Sequence, residues 1–379
     1  MKMKKSFLAM VALLVSAPLF FTSCNDDNGP SFHYEVVSDG AFIVNSGNMY
    51  SSIDGSLTGI NYASNVAMQK VFAANNGGQS LGSTPNDGLV YGDKMYVVVD
   101  GSNTVEVINK KTMQRIKQIK TTELLGAAEG KSPRHIIAGN GHIFFTTYGG
   151  YVAAVDTVNF KLTAKYKVGS YPEGLAGYAS SIVVANSDYA KGHGNISIIN
   201  LGTGEVETRN VEGINNPQKV FINNGNVYIL DWVYYEGEYP NSVEKGESAI
   251  KYLAGNKATK VTDAYYASML NGKLYIISNP YGEAKYSVCD LNSNPYQGTT
   301  TQLNLSEGVF SPAGIDVDPA TGEIFVLSYN QGENGYADYY SNGYVKRYSK
   351  NGSYMYSYDT GVGPCAVFFN VGVKTIFDN

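Results

Sequence analysis

One phrase recurs along this chain and limits its fold more than any other feature. A small or polar residue precedes Pro; two or three residues later comes an apolar pair, then a Gly or Asn turn, then an alternating strand. The phrase reads Thr84-Pro85-Asn86-Asp87-Gly88-Leu89-Val90, Ser132-Pro133-Arg134-His135-Ile136-Ile137 and Tyr171-Pro172-Glu173-Gly174-Leu175. It returns as Asn216-Pro217-Gln218-Lys219-Val220, Ser311-Pro312-Ala313-Gly314-Ile315 and Gly363-Pro364-Cys365-Ala366-Val367. A copy lacking Pro runs from Asp263, with Asn271-Gly272 as its turn. The Pro spacings are 48, 39, 45, 95 and 52, and the 95 spans two units, so the chain has seven starts. Repeats of this length are the signature of stacked or radially arranged units, each too small to bury its own core.

Each unit continues into a second pair of strands, as in Thr104–Ile108 followed by Ile116–Ile119. Four short strands in 40–50 residues match one blade of a β-propeller. The seventh start, at Gly363, has room for one strand before the sequence given ends at Asn379. Its complement stands at the other end: Ala41–Val44 reads as a second strand, Ser56–Ile60 as a third and Gln69–Phe72 as a fourth. The expected fold is therefore all-β: a seven-bladed β-propeller of four-stranded antiparallel blades, the ring closed by N- and C-terminal strands in one blade. Closure removes a free sheet edge. A linear β-solenoid would not need complementary ends. The Pro fits at the entry to an innermost strand, where no ladder hydrogen bond is lost.

Composition agrees. Only 16% of residues are charged, too few for a coiled coil, while 42 Gly supply turns and 31 Tyr suit strands. The net charge of −5 lacks the basic face that a nucleic-acid partner requires.

Residues 1–23 read as an address rather than as fold. Lys2, Lys4 and Lys5 precede an apolar stretch, Phe7–Phe21, too short to span a membrane comfortably. Phe21-Thr22-Ser23-Cys24 resembles a bacterial lipobox, which implies a lipidated Cys24 after cleavage. Asn25-Asp26-Asp27-Asn28 behind it is similar to the export signal of Bacteroidetes lipoproteins. The expected organisation is a signal peptide over 1–23, a lipidated Cys and flexible tether over 24–38, and the propeller over 39–379. The expected location is the outer membrane, lipid-anchored and facing the cell exterior, with the lipid as the sole membrane contact.

Antiparallel strand order puts the Pro turns and the loops after each second strand on one face. Those loops read as 45–55, 100–103, 148–150, 186–195, 231–248, 279–286 and 329–343. Several exceed what hairpin closure needs, and long loops in compact domains are commonly functional. They hold 12 of the 31 Tyr in 69 residues, together with the single Trp, Trp232. Tyr and Trp combine rigid area with a polar tip, as at binding surfaces. The candidate binding aromatics are Tyr148, Tyr171, Tyr189, Trp232, Tyr234, Tyr235, Tyr281, Tyr329 and Tyr336. The residues after each Pro bring Asn86, Asp87, Arg134, His135, Glu173 and Gln218 to the same face.

No catalytic residue is assigned. The four His show no metal-ligand spacing, and no P-loop, dinucleotide Gly fingerprint or nucleophile elbow is present. Neither a metal nor a cofactor is expected, and the chain reads as a binding protein rather than an enzyme. Carboxylates such as Asp87, Glu173, Asp188 and Asp231 could form an acid–base pair in a hydrolase or lyase, the least favoured reading.

The repeat, Tyr171-Pro172-Glu173-Gly174 and Leu81-Gly82-Ser83-Thr84-Pro85 resemble the YncE-like surface propellers of gut Bacteroidetes, a group that includes the BtuG cobalamin-binding lipoproteins. That resemblance implies cobalamin as a transported ligand rather than a cofactor, and a TonB-dependent outer-membrane transporter of the BtuB type as partner. A large, amide-bearing ligand suits a face of aromatics with Asn, Gln and Arg. A glycan or another bulky small molecule suits it also. His135 could in principle ligate cobalt, but reads better as a hydrogen-bonding rim residue.

Overall fold

The computed structural model describes residues 32–238 and 240–377. The signal segment, Cys24, the acidic run behind it and Tyr239 lie outside the described residues.

The described chain is all-β, with seven four-stranded antiparallel sheets and one two-stranded ribbon. Sheets 2 to 5 begin at Pro85, Pro133, Pro172 and Pro217, sheet 6 at Tyr266 and sheet 7 at Ser311. Each takes its four strands consecutively from the chain, apart from the ribbon that interrupts sheet 5. Sheet 1 is composite. Phe32–Asn45, Ser56–Asn61 and Val66–Met68 are joined by Pro364–Phe377, which pairs with Phe32–Asn45. The seven starts, including the Pro-less one, therefore coincide with seven first strands.

Sequence explains the layering within each sheet. Second strands such as Lys94–Val99 and Ser181–Asn186 are apolar almost throughout, because neighbouring sheets cover both their faces. Outer strands such as Leu162–Lys167 alternate half-buried and exposed positions, because one side meets water. First-to-second hairpins turn on Asn140-Gly141, Asn224-Gly225 and Asn271-Gly272, all with positive φ. That is the backbone a tight right-twisted hairpin demands. Third-to-fourth hairpins use side-chain caps instead: Asn109 accepts from the amides of Lys111 and Thr112, and Asp156 from those of Val158 and Asn159.

Burial is concentrated between sheets. Seven apolar clusters occur among the described residues, and each draws mainly on two sheets. Val98 and Val105 of sheet 2 meet Ile143 and Phe145 of sheet 3. Tyr228 and Leu230 of sheet 5 meet Leu274 and Ile276 of sheet 6. Ile43 and Ile60 of sheet 1 meet Phe325 and Val345 of sheet 7.

Two local expectations are corrected. Gln69–Phe72 is not the fourth strand of sheet 1; Val66–Met68 is, and Val71–Asn75 forms a short helix. A helical turn drops both Val71 and Phe72 into the core, whereas a strand would point one of them outward. The N-terminal strand also begins at Phe32, so residues 32–38, expected as tether, pair with Val371–Phe377.

Phe42 and Phe368, stacked with centroids 5.3 Å apart, join the two ends of the chain in one core. Phe368→Ala is expected to cost about 3–5 kcal/mol, read from urea unfolding. A cost below about 1 kcal/mol would mean that the termini are not part of the cooperative unit.

Candidate functional site

The strand order places the Pro turns, the loops after second strands and the connections between sheets on one face. What shapes its centre is a recurring irregularity. In sheets 2, 3, 4, 5 and 7 the pairing slips by one residue directly after Pro. An extra residue on one strand bends it and re-aims its side chains. Three residues before these prolines, Thr84, Ser132 and Tyr171, hold positive φ near 50°. For Thr and Tyr that backbone is strained, and packing around it must hold it in place.

The bulges bring together residues one repeat apart. Asn86 donates from Nδ2 to the Arg134 carbonyl at 2.7 Å. Asp87 accepts the Ile136 amide at 3.2 Å and lies 3.1 Å from His135 Nδ1. Arg134 donates from Nε to Glu173 at 2.9 Å and from a terminal nitrogen to Asp100 at 2.5 Å. Its guanidinium lies 4.7 Å from the centroid of the Tyr148 ring. Tyr148 donates its hydroxyl to the other oxygen of Glu173, which is only 4% exposed. Burial opposes charge on Arg134, but Glu173, Tyr148 and Asp100 more than offset it. Burial, then the Glu173 charge, raises the Tyr148 hydroxyl above its usual range. The result is a preorganised polar floor across sheets 2, 3 and 4, with its hydrogen-bonding capacity largely satisfied internally.

Two groups of aromatics border depressions in the protein surface. Tyr148, Tyr171 and Tyr189 form one, with centroid separations of 5.0, 5.0 and 6.1 Å. Tyr148 and Tyr171 line a depression of about 220 Å³ with Lys131 and Lys167. Trp232, Tyr265 and Tyr281 form the other, beside a groove of about 490 Å³ between sheets 5 and 6. Tyr189 is 62% exposed and Tyr336 74%, both free to meet a ligand.

Other candidates are placed differently. Trp232 is half-buried against a core cluster, and its indole N–H donates to the Tyr265 carbonyl at 2.7 Å, so it supports the face rather than presenting itself. Tyr234 lies against Gly192, where an added Cβ would sit 2.5 Å from the ring. Tyr235 is exposed and donates to Glu244 at 3.2 Å. Tyr329 ends a second strand, edge-on to Tyr339, and burial pushes its hydroxyl up to about 12. Gln218 turns to Asn216, at 2.7 Å, rather than to the neighbouring sheet. Asp231 is spent on Lys251 at 2.7 Å and on the amides of Asn215 and Asn216, deep in the protein. Among the described residues no three His, Cys, Asp or Glu are placed to hold a metal.

Sequence reading missed Asp100, Tyr265 and Asp316. Tyr265 occupies the slot that Tyr171 fills in its own repeat, the residue before the first strand, so aligning the Pro-less copy with the others would have found it. Asp316 lies on the first strand of sheet 7, half-buried and closely surrounded. Burial pushes its carboxyl up to about 6, opposed by Lys219 and a Ser268 hydrogen bond and assisted by Asp87.

A family model described as Domain of unknown function (DUF5074) matches residues 39–369. The chain belongs to that family. It matches no curated protein. Among solved structures it is similar to a hypothetical selenium-binding protein from Sulfolobus tokodaii, at 11% identity and TM-score 0.57, over 88% of this chain and 94% of that one. It is also similar to Streptogramin B lyase, at 13% identity and TM-score 0.50, over 78% and 93%. Hydrazine synthase of Kuenenia stuttgartiensis aligns at 14% identity and TM-score 0.52, over 72% and 86%. At such identities these β-propeller-like neighbours speak to fold alone.

Two outcomes follow from the site. Arg134→Ala would leave Glu173 buried without its cation, an expected loss of about 3–5 kcal/mol in urea unfolding. Asp316 binds its proton more tightly folded than unfolded, so its stabilising contribution is complete below about pH 3.8 and is lost as pH rises through about 6. Asp316→Asn should abolish that slope and raise stability above pH ~6 by on the order of 1–3 kcal/mol, measured as the difference between wild-type and variant urea curves across pH.

Proposed function

We propose that the chain is a seven-bladed β-propeller, closed by its terminal strands, that captures a bulky amide-bearing ligand on its loop face. Cobalamin is the first candidate. The seven inter-sheet cores support the architecture: each bridges successive sheets, and one unites residues of sheet 7 with sheet 1.

The observation that carries the binding reading is the pairing of a rigid polar floor with exposed tyrosines on one face. Arg134, Glu173, Asp87 and His135 hold one another in place, while Tyr189 and Tyr336 stand clear. Such a surface offers exposed aromatic area to a large ligand above a base that is already rigid, so little ordering is needed on binding. Of the four carboxylates named for acid–base chemistry, Glu173 is committed to Arg134 and Asp231 to Lys251, which favours capture over catalysis. In this reading Cys24 carries lipid, the protein faces outward at the outer membrane, and the ligand passes to a TonB-dependent transporter.

Titration calorimetry with cyanocobalamin tests the ligand. Saturable binding is expected, weakened about tenfold by combining Tyr189→Ala with Tyr336→Ala. Absence of heat at millimolar ligand would remove cobalamin. Metabolic labelling with a fatty acid should mark the wild type and not Cys24→Ala.

A further inference from the structure

We infer that the groove between sheets 5 and 6 is a separate binding site for a neutral sugar ring. The groove encloses about 490 Å³, within the range of small-molecule sites. One wall is the loop at residues 279–284, the other is the ribbon formed by Tyr234–Glu236 and Val243–Lys245, and Asp263–Tyr265 runs along the floor.

Its aromatic surface is rigid and unoccupied by protein. Tyr281 is 74% exposed, yet its hydroxyl donates to that of Tyr265 at 3.1 Å, holding the rings at 82°. Tyr265 is backed by Trp232, stacked at 4.5 Å and 18°. The opposite wall is also fixed. Alternation along a strand sends Tyr234 and Tyr235 to opposite sides. Tyr234 rests on Gly192, where no side chain would fit, and Tyr235 lines the groove. Tyr234 is thus a positioning residue for this wall.

The rim decides the ligand class. Glu244, Asp263, Ser278, Asn279 and Lys285 interleave acceptors and donors around the rings. Asp263 is held by Lys260 at 2.7 Å, and Lys260 holds Glu247 at the same distance, while Glu244 accepts from the Tyr235 hydroxyl. Both lining carboxylates are thus already partnered, which leaves no free carboxylate pair for a cation, and the acids beside Lys285 disfavour an anion. A purely apolar ligand would bury the rim without partners. A sugar ring fits both demands: its C–H face covers an aromatic ring, and its hydroxyls donate and accept at once.

This site is independent of the floor around Arg134 and of the cobalamin reading. The test is saturation-transfer NMR and calorimetry on the full chain with a panel of neutral gluco-, galacto-, manno- and xylo-oligosaccharides. At least one should bind, with Tyr281→Ala weakening it about tenfold and Glu244→Gln severalfold. Tyr189→Ala, in the other aromatic group, should leave sugar binding unchanged. No binding across the panel at millimolar sugar, or binding undiminished in Tyr281→Ala, overturns the inference. Cyanocobalamin titrated into the same samples reads the other site, so either proposal can fail alone.

Discussion

The pairing of Ala41–Asn45 with Pro364–Phe369 is the contact on which the remainder depends. It joins segments more than 300 residues apart, and closing a loop of that length costs about 5 kcal/mol of chain entropy beyond a constant. Ladder hydrogen bonds and the burial of Phe42 and Phe368 offset that cost. Asn45, fully buried, adds a lock: it donates to Ile43, Ser56 and Thr58 and accepts the amide of Gly361. Without this seam, sheet 1 would keep three strands and its apolar side chains would face water.

A second constraint sets the site. Inner strands crowd one another, and the chain meets this with a bulge after Pro and small residues close by. An added Cβ at Gly174 would lie 2.7 Å from the Gln218 carbonyl, so the first strands of sheets 4 and 5 approach there only because Gly stands there. The same bulges turn Arg134 and Glu173 toward each other across 39 residues of sequence. Packing of the inner strands and assembly of the polar floor are thus one geometric event.

The repeat made the sheets legible. Pro turns, Asn-Gly hairpins and apolar second strands are local signals, and each is satisfied within its own unit. The end of sheet 1 was harder to read, because Val71 and Phe72 follow a core demand that helix and strand can both meet. The loop face was legible as a concentration of Tyr. Which of those rings were free was not, because exposure depends on neighbours distant in sequence: Trp232 is covered by Tyr265, and Tyr234 by Gly192.

Sequence by itself determined the all-β class, the four short antiparallel strands of each repeat and the complementarity of the two ends. These follow from periodicity and turn chemistry, which act over a few residues. Only the tertiary structure decided which charges pair, which tyrosines stand free and where a groove opens. Those depend on how far a bulge rotates one strand against the next sheet, a distance that no spacing in the chain encodes.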